Sequence, residues 1–139
     1  MNQAQFSNKT DKIKKEAFSW RNRALSFKYA WKGIVYTFKT QHNMWIHSVA
    51  AIITIMLAWL LQLPASRWLL IMLCIGLVMA LEIVNTAIET LVDQLHPQRH
   101  PKIGLVKDLA AGAVLVAAVT AFIVGCCIFG PALVIWLKY

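Results

Sequence analysis

Three apolar runs, at residues 44–63, 67–95 and 109–137, are each about as long as one crossing of a bilayer requires. In hydrocarbon every backbone N–H and C=O must be satisfied within its own segment, so runs of this length predict transmembrane α-helices. Composition agrees: 59% of the 139 residues are hydrophobic and 14% are charged. A chain this short has too little interior to hide that much apolar surface from water.

Leu63-Pro64-Ala65-Ser66-Arg67 is a very short connection after the first run, and Pro64 forbids simple continuation of the helix. The second break, residues 96–108, contains Pro97, Pro101 and Gly104 and reads as the main loop. In the third run Ala113, Ala117, Ala121 and Gly125 recur every fourth residue, a seam of small side chains that lets helix backbones approach closely. Cys74, Cys126 and Cys127 lie inside apolar runs and read as packing residues, with no spacing that suggests structural zinc.

Ahead of the first span, residues 17–40 carry a different pattern. Trp20, Ala24, Phe27, Trp31, Ile34 and Phe38 fall on one helical face, with Arg21, Lys28, Lys32 and Lys39 on a basic stripe beside it. Such a helix is expected to lie in the membrane interface, rings among the headgroups and cations toward phosphates. Residues 1–16 read as a flexible basic arm with no expected structure, and no apolar segment there suggests a cleavable signal peptide. The whole chain is thus expected to form a single membrane domain.

The net charge is +8, and nine of the 14 Lys and Arg precede the first span. That concentration points to an anionic membrane surface rather than to nucleic acid. Arg67 alone marks the first connection, whereas Arg99, Lys102 and Lys107 mark the second. The bias of positive residues toward the cytoplasm then places the N-terminus and second loop inside and the C-terminus on the far side.

The second apolar run has acids built into it. At about 100° per residue, Glu82, Asn85, Thr86, Glu89 and Asp93 share one arc of the helix. Each mid-membrane carboxylate costs roughly 2.5–3.5 kcal/mol on insertion scales, so this polar stripe requires a use. Carboxylates with an amide oxygen suit Mg²⁺, which takes one or two of them and leaves its other positions to water and phosphate oxygens. Partial loss of hydration at the deeper acid, Glu82, strengthens it as a base for a substrate hydroxyl. Lys107 and Asp108 open the third run within reach of Glu89 and Asp93, where a cation could hold a nucleotide phosphate. On these grounds an enzyme, a proton or cation pathway, and a polar seam that glues helices all stay open. His47 and His100 are each weak signals, since a single His is more often a surface or packing residue than a ligand. No P-loop, nucleophile elbow or kinase-type catalytic loop is present.

The run Glu82-Ile83-Val84-Asn85-Thr86-Ala87-Ile88-Glu89, then Asp93, His100 and Lys107-Asp108 followed closely by Ala110-Ala111-Gly112-Ala113-Val114-Leu115, resembles the signature of the small bacterial integral-membrane diacylglycerol kinase and undecaprenol kinase family. The similarity extends over about residues 27–125 and includes Ala30-Trp31-Lys32-Gly33 and Phe38-Lys39-Thr40. It implies an all-α protein of the bacterial inner membrane: a homotrimer whose subunits each have a surface helix and three spans, with active sites shared between subunits. MgATP would donate its γ-phosphate to a lipid alcohol. By position, Glu82 resembles the catalytic base, Glu89 a metal and nucleotide ligand, and Asn85 a supporting polar contact. Tyr29, Gln98, Arg99, His100, Lys107 and Asp108 resemble nucleotide contacts. Gln41 stands where many members carry a metal-binding Glu, which would weaken the metal site by one charge. The approach to the first span and the wording around Glu82 look more like the undecaprenol kinase branch, with diacylglycerol as the alternative acceptor.

Overall fold

The computed structural model describes residues 19–96, 98 and 101–138. Four helices follow one another: α1 (Trp20–Thr40), α2 (His42–Leu60), α3 (Ala65–Leu95) and α4 (Pro101–Trp136). α2, α3 and α4 are each long and apolar enough to cross a membrane. The architecture is all-helical, as the apolar runs predict. The arm expected at residues 1–16 lies outside the described residues. Two compact units divide the chain, residues 1–33 and residues 34–139.

In the first unit, the aromatic face of α1 is open: Trp20, Phe27 and Trp31 are all mostly exposed. The Lys32 ammonium lies 5.7 Å from the centre of the Tyr29 ring, a cation–π distance.

In the second unit, α3 packs between α2 and α4, and the contacts at each end fix the directions. Ala58 near the end of α2, Ile71 near the start of α3, and Ile128 and Ala132 near the end of α4 form one buried cluster with Leu63. At the opposite end, Gln41 meets Glu89 and Asp93 meets Lys107. Neighbouring helices therefore run antiparallel. Beyond that cluster, large apolar side chains such as Leu69, Leu73 and Phe122 face outward, an arrangement that suits lipid and not water.

The turn after α2 is built locally. The backbone N–H of Gln62 donates to Trp59 O and that of Leu63 to Ala58 O, both at 3.1 Å. Gln62 adopts the left-handed φ of 50° that this helix ending requires. Leu63 then folds back onto Ala58, burying both. The helix accordingly stops at Leu60, short of the 63 expected from hydropathy, because Leu63 is apolar for the turn's sake. α4 differs in the other direction. It begins at Pro101 where the apolar run predicts 109, since Pro fits the first turn of a helix and polar residues remain helical outside hydrocarbon. At about 1.5 Å per residue, its 36 residues exceed a hydrocarbon core of about 30 Å, so part of α4 extends beyond it.

The small-residue seam also shifts. Strict four-residue steps drift about 40° each, so Ala113 is exposed, and the buried face passes through Val114, Ala117, Ile128 and Ala132.

Candidate active site

One face of α3 carries Ile71, Ile75, Val78, Glu82, Asn85 and Glu89 at alternating steps of four and three. The stripe is apolar up to Val78 and polar from Glu82 onward. Glu82 is 1% exposed and Asn85 5%, while Glu89 is half-buried. Thr86 shares the arc but takes no part in the polar cluster, because its hydroxyl donates to Glu82 O on its own helix at 2.8 Å.

Two carboxylates on this stripe have opposite surroundings. Glu89 is clamped: Gln41 Nε2 donates to one oxygen at 2.8 Å and Asn85 Nδ2 to the other at 3.1 Å. Both Glu82 oxygens and Asn85 Oδ1 are buried with no hydrogen-bond partner among the described residues. Buried acceptors left without donors are costly, and three within one turn of helix point to a ligand that supplies a donor or a cation.

Gln41 reaches Glu89 because of how α1 joins α2. It is the one residue between those helices, with extended φ −112° and ψ 116°. Its N–H donates to Thr37 O at 2.9 Å. Trp45 braces the corner, its Nε1 donating to Phe38 O at 2.8 Å and its ring meeting Phe38 edge-on with centroids 5.7 Å apart. Since a carboxylate only accepts, the amide nitrogen of Gln41 must face it and the amide oxygen points elsewhere.

Lys107 forms an ion pair with Asp93 at 2.5 Å, joining the starts and ends of α4 and α3 on the partly exposed rim. Asp108 and Gln98 are exposed, while Arg99 and His100 lie outside the described residues. Tyr29 belongs to the first unit, where its described neighbour is Lys32. The structure thus brings Gln41, Glu82, Asn85 and Glu89 together and places Lys107 with Asp93.

Among the described residues no three His, Cys, Asp or Glu side chains converge as a metal cage. The oxygen set still fits Mg²⁺, which binds through one or two carboxylates and completes its sphere with water and phosphate. Glu89 and the unpaired Asn85 Oδ1 are hard donors of that kind.

Below Glu82, α2, α3 and α4 line a half-open cavity of about 640 Å³ whose walls include His47, Ala51, Ile75, Val78 and Phe122. Its lining is almost wholly apolar, and the Thr54 hydroxyl there already donates to Ala50 O at 2.7 Å.

The sequence profile of the prokaryotic diacylglycerol kinase family matches residues 28–129. The chain belongs to this family. Three apolar helices of membrane-spanning length accompany that match. Relatives of this prokaryotic diacylglycerol kinase family member carry both acceptor names. A diacylglycerol kinase of Synechocystis sp. is 44% identical over 113 residues, 81% of this chain and 65% of that protein. The alignment thus spans less than two thirds of the Synechocystis relative. An undecaprenol kinase of Bacillus subtilis is 42% identical over 108 residues, 78% of this chain and 88% of its own length. A diacylglycerol kinase of Escherichia coli is 33% identical over 98 residues, 70% of this chain and 80% of its own.

Proposed function

We propose that this chain transfers the γ-phosphate of MgATP to the hydroxyl of a membrane lipid alcohol, undecaprenol in preference to diacylglycerol. The observation that carries the reading is the unequal treatment of two acids on one helix. Glu82, buried with both oxygens unpaired, is placed to accept the proton of a hydroxyl. Glu89, steadied by two amides, is placed to hold the nucleotide's metal together with Asn85 Oδ1. When bound, Mg²⁺ neutralises charge on the phosphate oxygens. Lys107, with Asp108, Gln98, Arg99, His100 and Tyr29, would contact the nucleotide. Catalysis rests mainly on positioning and charge stabilisation. In this reading three copies form a homotrimer with shared sites in the bacterial inner membrane, and Glu89, Lys107 and the N-terminus face the cytoplasm, where ATP is found.

The preference for undecaprenol draws support from the cavity. A polyprenol is hydrocarbon up to its hydroxyl, whereas diacylglycerol brings two ester carbonyls that an apolar wall leaves without donors. A proton or cation pathway is less well supported. The acidic stripe stops at Glu82, and the face of α3 before it is apolar.

The test offers each alcohol in turn, with labelled ATP and Mg²⁺, to purified protein in lipid. Phosphorylated undecaprenol formed faster than phosphatidate is the expected result; no phosphorylated lipid from either alcohol would contradict the reading.

Gln41 gives a separate prediction. Gln41→Glu sets two carboxylates against each other where a 2.8 Å hydrogen bond now stands, unless a cation bridges them. The variant should melt earlier than the parent in chelator and recover in Mg²⁺, with a lower Mg²⁺ concentration for half-maximal activity. Thermal melts with and without Mg²⁺, alongside Mg²⁺ titration of activity, check both parts.

A further inference from the structure

His47 is only a weak signal in the sequence, and the register of α2 against α3 gives it a place. Gln41 is level with Glu89, and Ala58 shares a buried cluster with Ile71. These two fixed points lie at opposite ends of an antiparallel pair with equal rise per residue. Stepping from Gln41 to His47 moves six residues along α2, and the same step back along α3 from Glu89 arrives at Ile83. Counted from the other end, eleven residues separate Ala58 from His47, and eleven beyond Ile71 is Glu82. His47 is therefore level with the unpaired acid.

It also points inward. Met44, His47, Ala51 and Ala58 form the inner stripe of α2, with Met44 and Ala58 fully buried. His47 is half-buried on that stripe and forms part of the wall of the apolar cavity together with Val78 and Met79, the residues one turn before Glu82. The imidazole thus stands where the cavity meets the acid.

A lipid hydroxyl needs two partners in such a place. Its hydrogen must go to an acceptor, which Glu82 supplies, and its oxygen needs a donor, which Glu82 and Asn85 Oδ1 cannot supply. An imidazole in any protonation state carries at least one N–H. We propose that His47 is the acceptor-side contact of this site, its ring N–H donating to the hydroxyl oxygen of the lipid alcohol while that hydroxyl donates to Glu82. The hydrocarbon next to the hydroxyl then occupies the adjoining apolar cavity. In the transfer step the hydroxyl oxygen bonds to the γ-phosphorus and its proton passes to Glu82. The bond from that phosphorus to the bridging oxygen breaks, its electron pair leaving with ADP, and His47 keeps its own proton throughout. This inference rests on the lipid kinase reading above.

The experiment uses the full chain in lipid bilayers, with undecaprenol and diacylglycerol as acceptors, varying acceptor at saturating ATP and then ATP at fixed acceptor. His47→Leu, similar in bulk but without a donor, should lower kcat/KM for the acceptor by about tenfold, equivalent to about 1.4 kcal/mol. The KM for ATP should stay within twofold of the parent. His47→Gln, which keeps an N–H donor, should recover most of the loss. An unchanged acceptor kcat/KM in His47→Leu would overturn the inference. So would an equal loss in a folded His47→Gln, or a parallel rise in the KM for ATP, since a packing role would produce both. If His47→Leu fails to assemble, His47→Ala and His47→Gln carry the same comparison. A parent protein that phosphorylates neither alcohol defeats the kinase reading; an active parent with an indifferent His47→Leu defeats only the role given to His47.

Discussion

Glu82→Gln is expected to reduce lipid phosphorylation by at least about 100-fold, the lower end of what a positioned general base contributes, while ATP affinity stays near that of the parent. The side chain keeps its shape, but an amide cannot take up the hydroxyl proton. Nucleotide affinity should survive because the Glu89 clamp lies about two turns away and is formed by Gln41 and Asn85. The same substitution should leave thermal stability equal or improved. The Glu82 carboxylate is buried with no hydrogen-bond partner among the described residues, and a neutral amide costs less to bury there than a charge. Activity lost together with stability would mean that Glu82 serves assembly, not proton transfer. Isotope-labelled product formation, ATP titration and a thermal melt on one preparation separate these outcomes.

Glu89→Gln should do the reverse, weakening ATP and Mg²⁺ binding by about 10- to 100-fold. That corresponds to removal of a charged partner whose hydrogen bonds are worth about 1.5–3 kcal/mol. Both amides that now donate to Glu89 would face a neutral side chain, with one fewer strong acceptor for the two of them. Residual turnover at saturating ATP and Mg²⁺ should therefore persist, in contrast to Glu82→Gln. Equal ATP affinities in the two variants would contradict the division of roles. Direct nucleotide binding measured over a range of Mg²⁺ concentrations provides the comparison.

The helices themselves are legible because each announces its own period. The stripe of Glu82, Asn85 and Glu89 follows from rotation per residue alone, and Pro64 marks a break that no helix continues through. What pairs with that stripe is not legible in the same way. Gln41 and Glu89 are separated by 48 positions, and their contact depends on the axial register of α2 against α3, which is set by where the turn at Leu61–Leu63 ends. His47 is hidden for the same reason: its spacing is that of any inner-face residue, and only the register brings it level with Glu82. The start of α4 at Pro101 was obscured by polarity, since a helix that leaves the hydrocarbon loses its apolar signature while keeping its backbone bonds.

The turn after α2 bears on the order in which the chain acquires its form during synthesis. Its backbone bonds span no more than five residues, and the Leu63 contact that seals it reaches back only to Ala58. Arg67, by contrast, donates to Ile128 O across 61 residues, at 3.5 Å. Contacts close in sequence form with little loop entropy to overcome, and distant ones await the rest of the chain. A nascent polypeptide that has released only α2 and α3 already contains every residue of that turn and of the Gln41–Glu89 hydrogen bond, whereas the buried cluster at the other end is completed by Ile128 and Ala132 of α4.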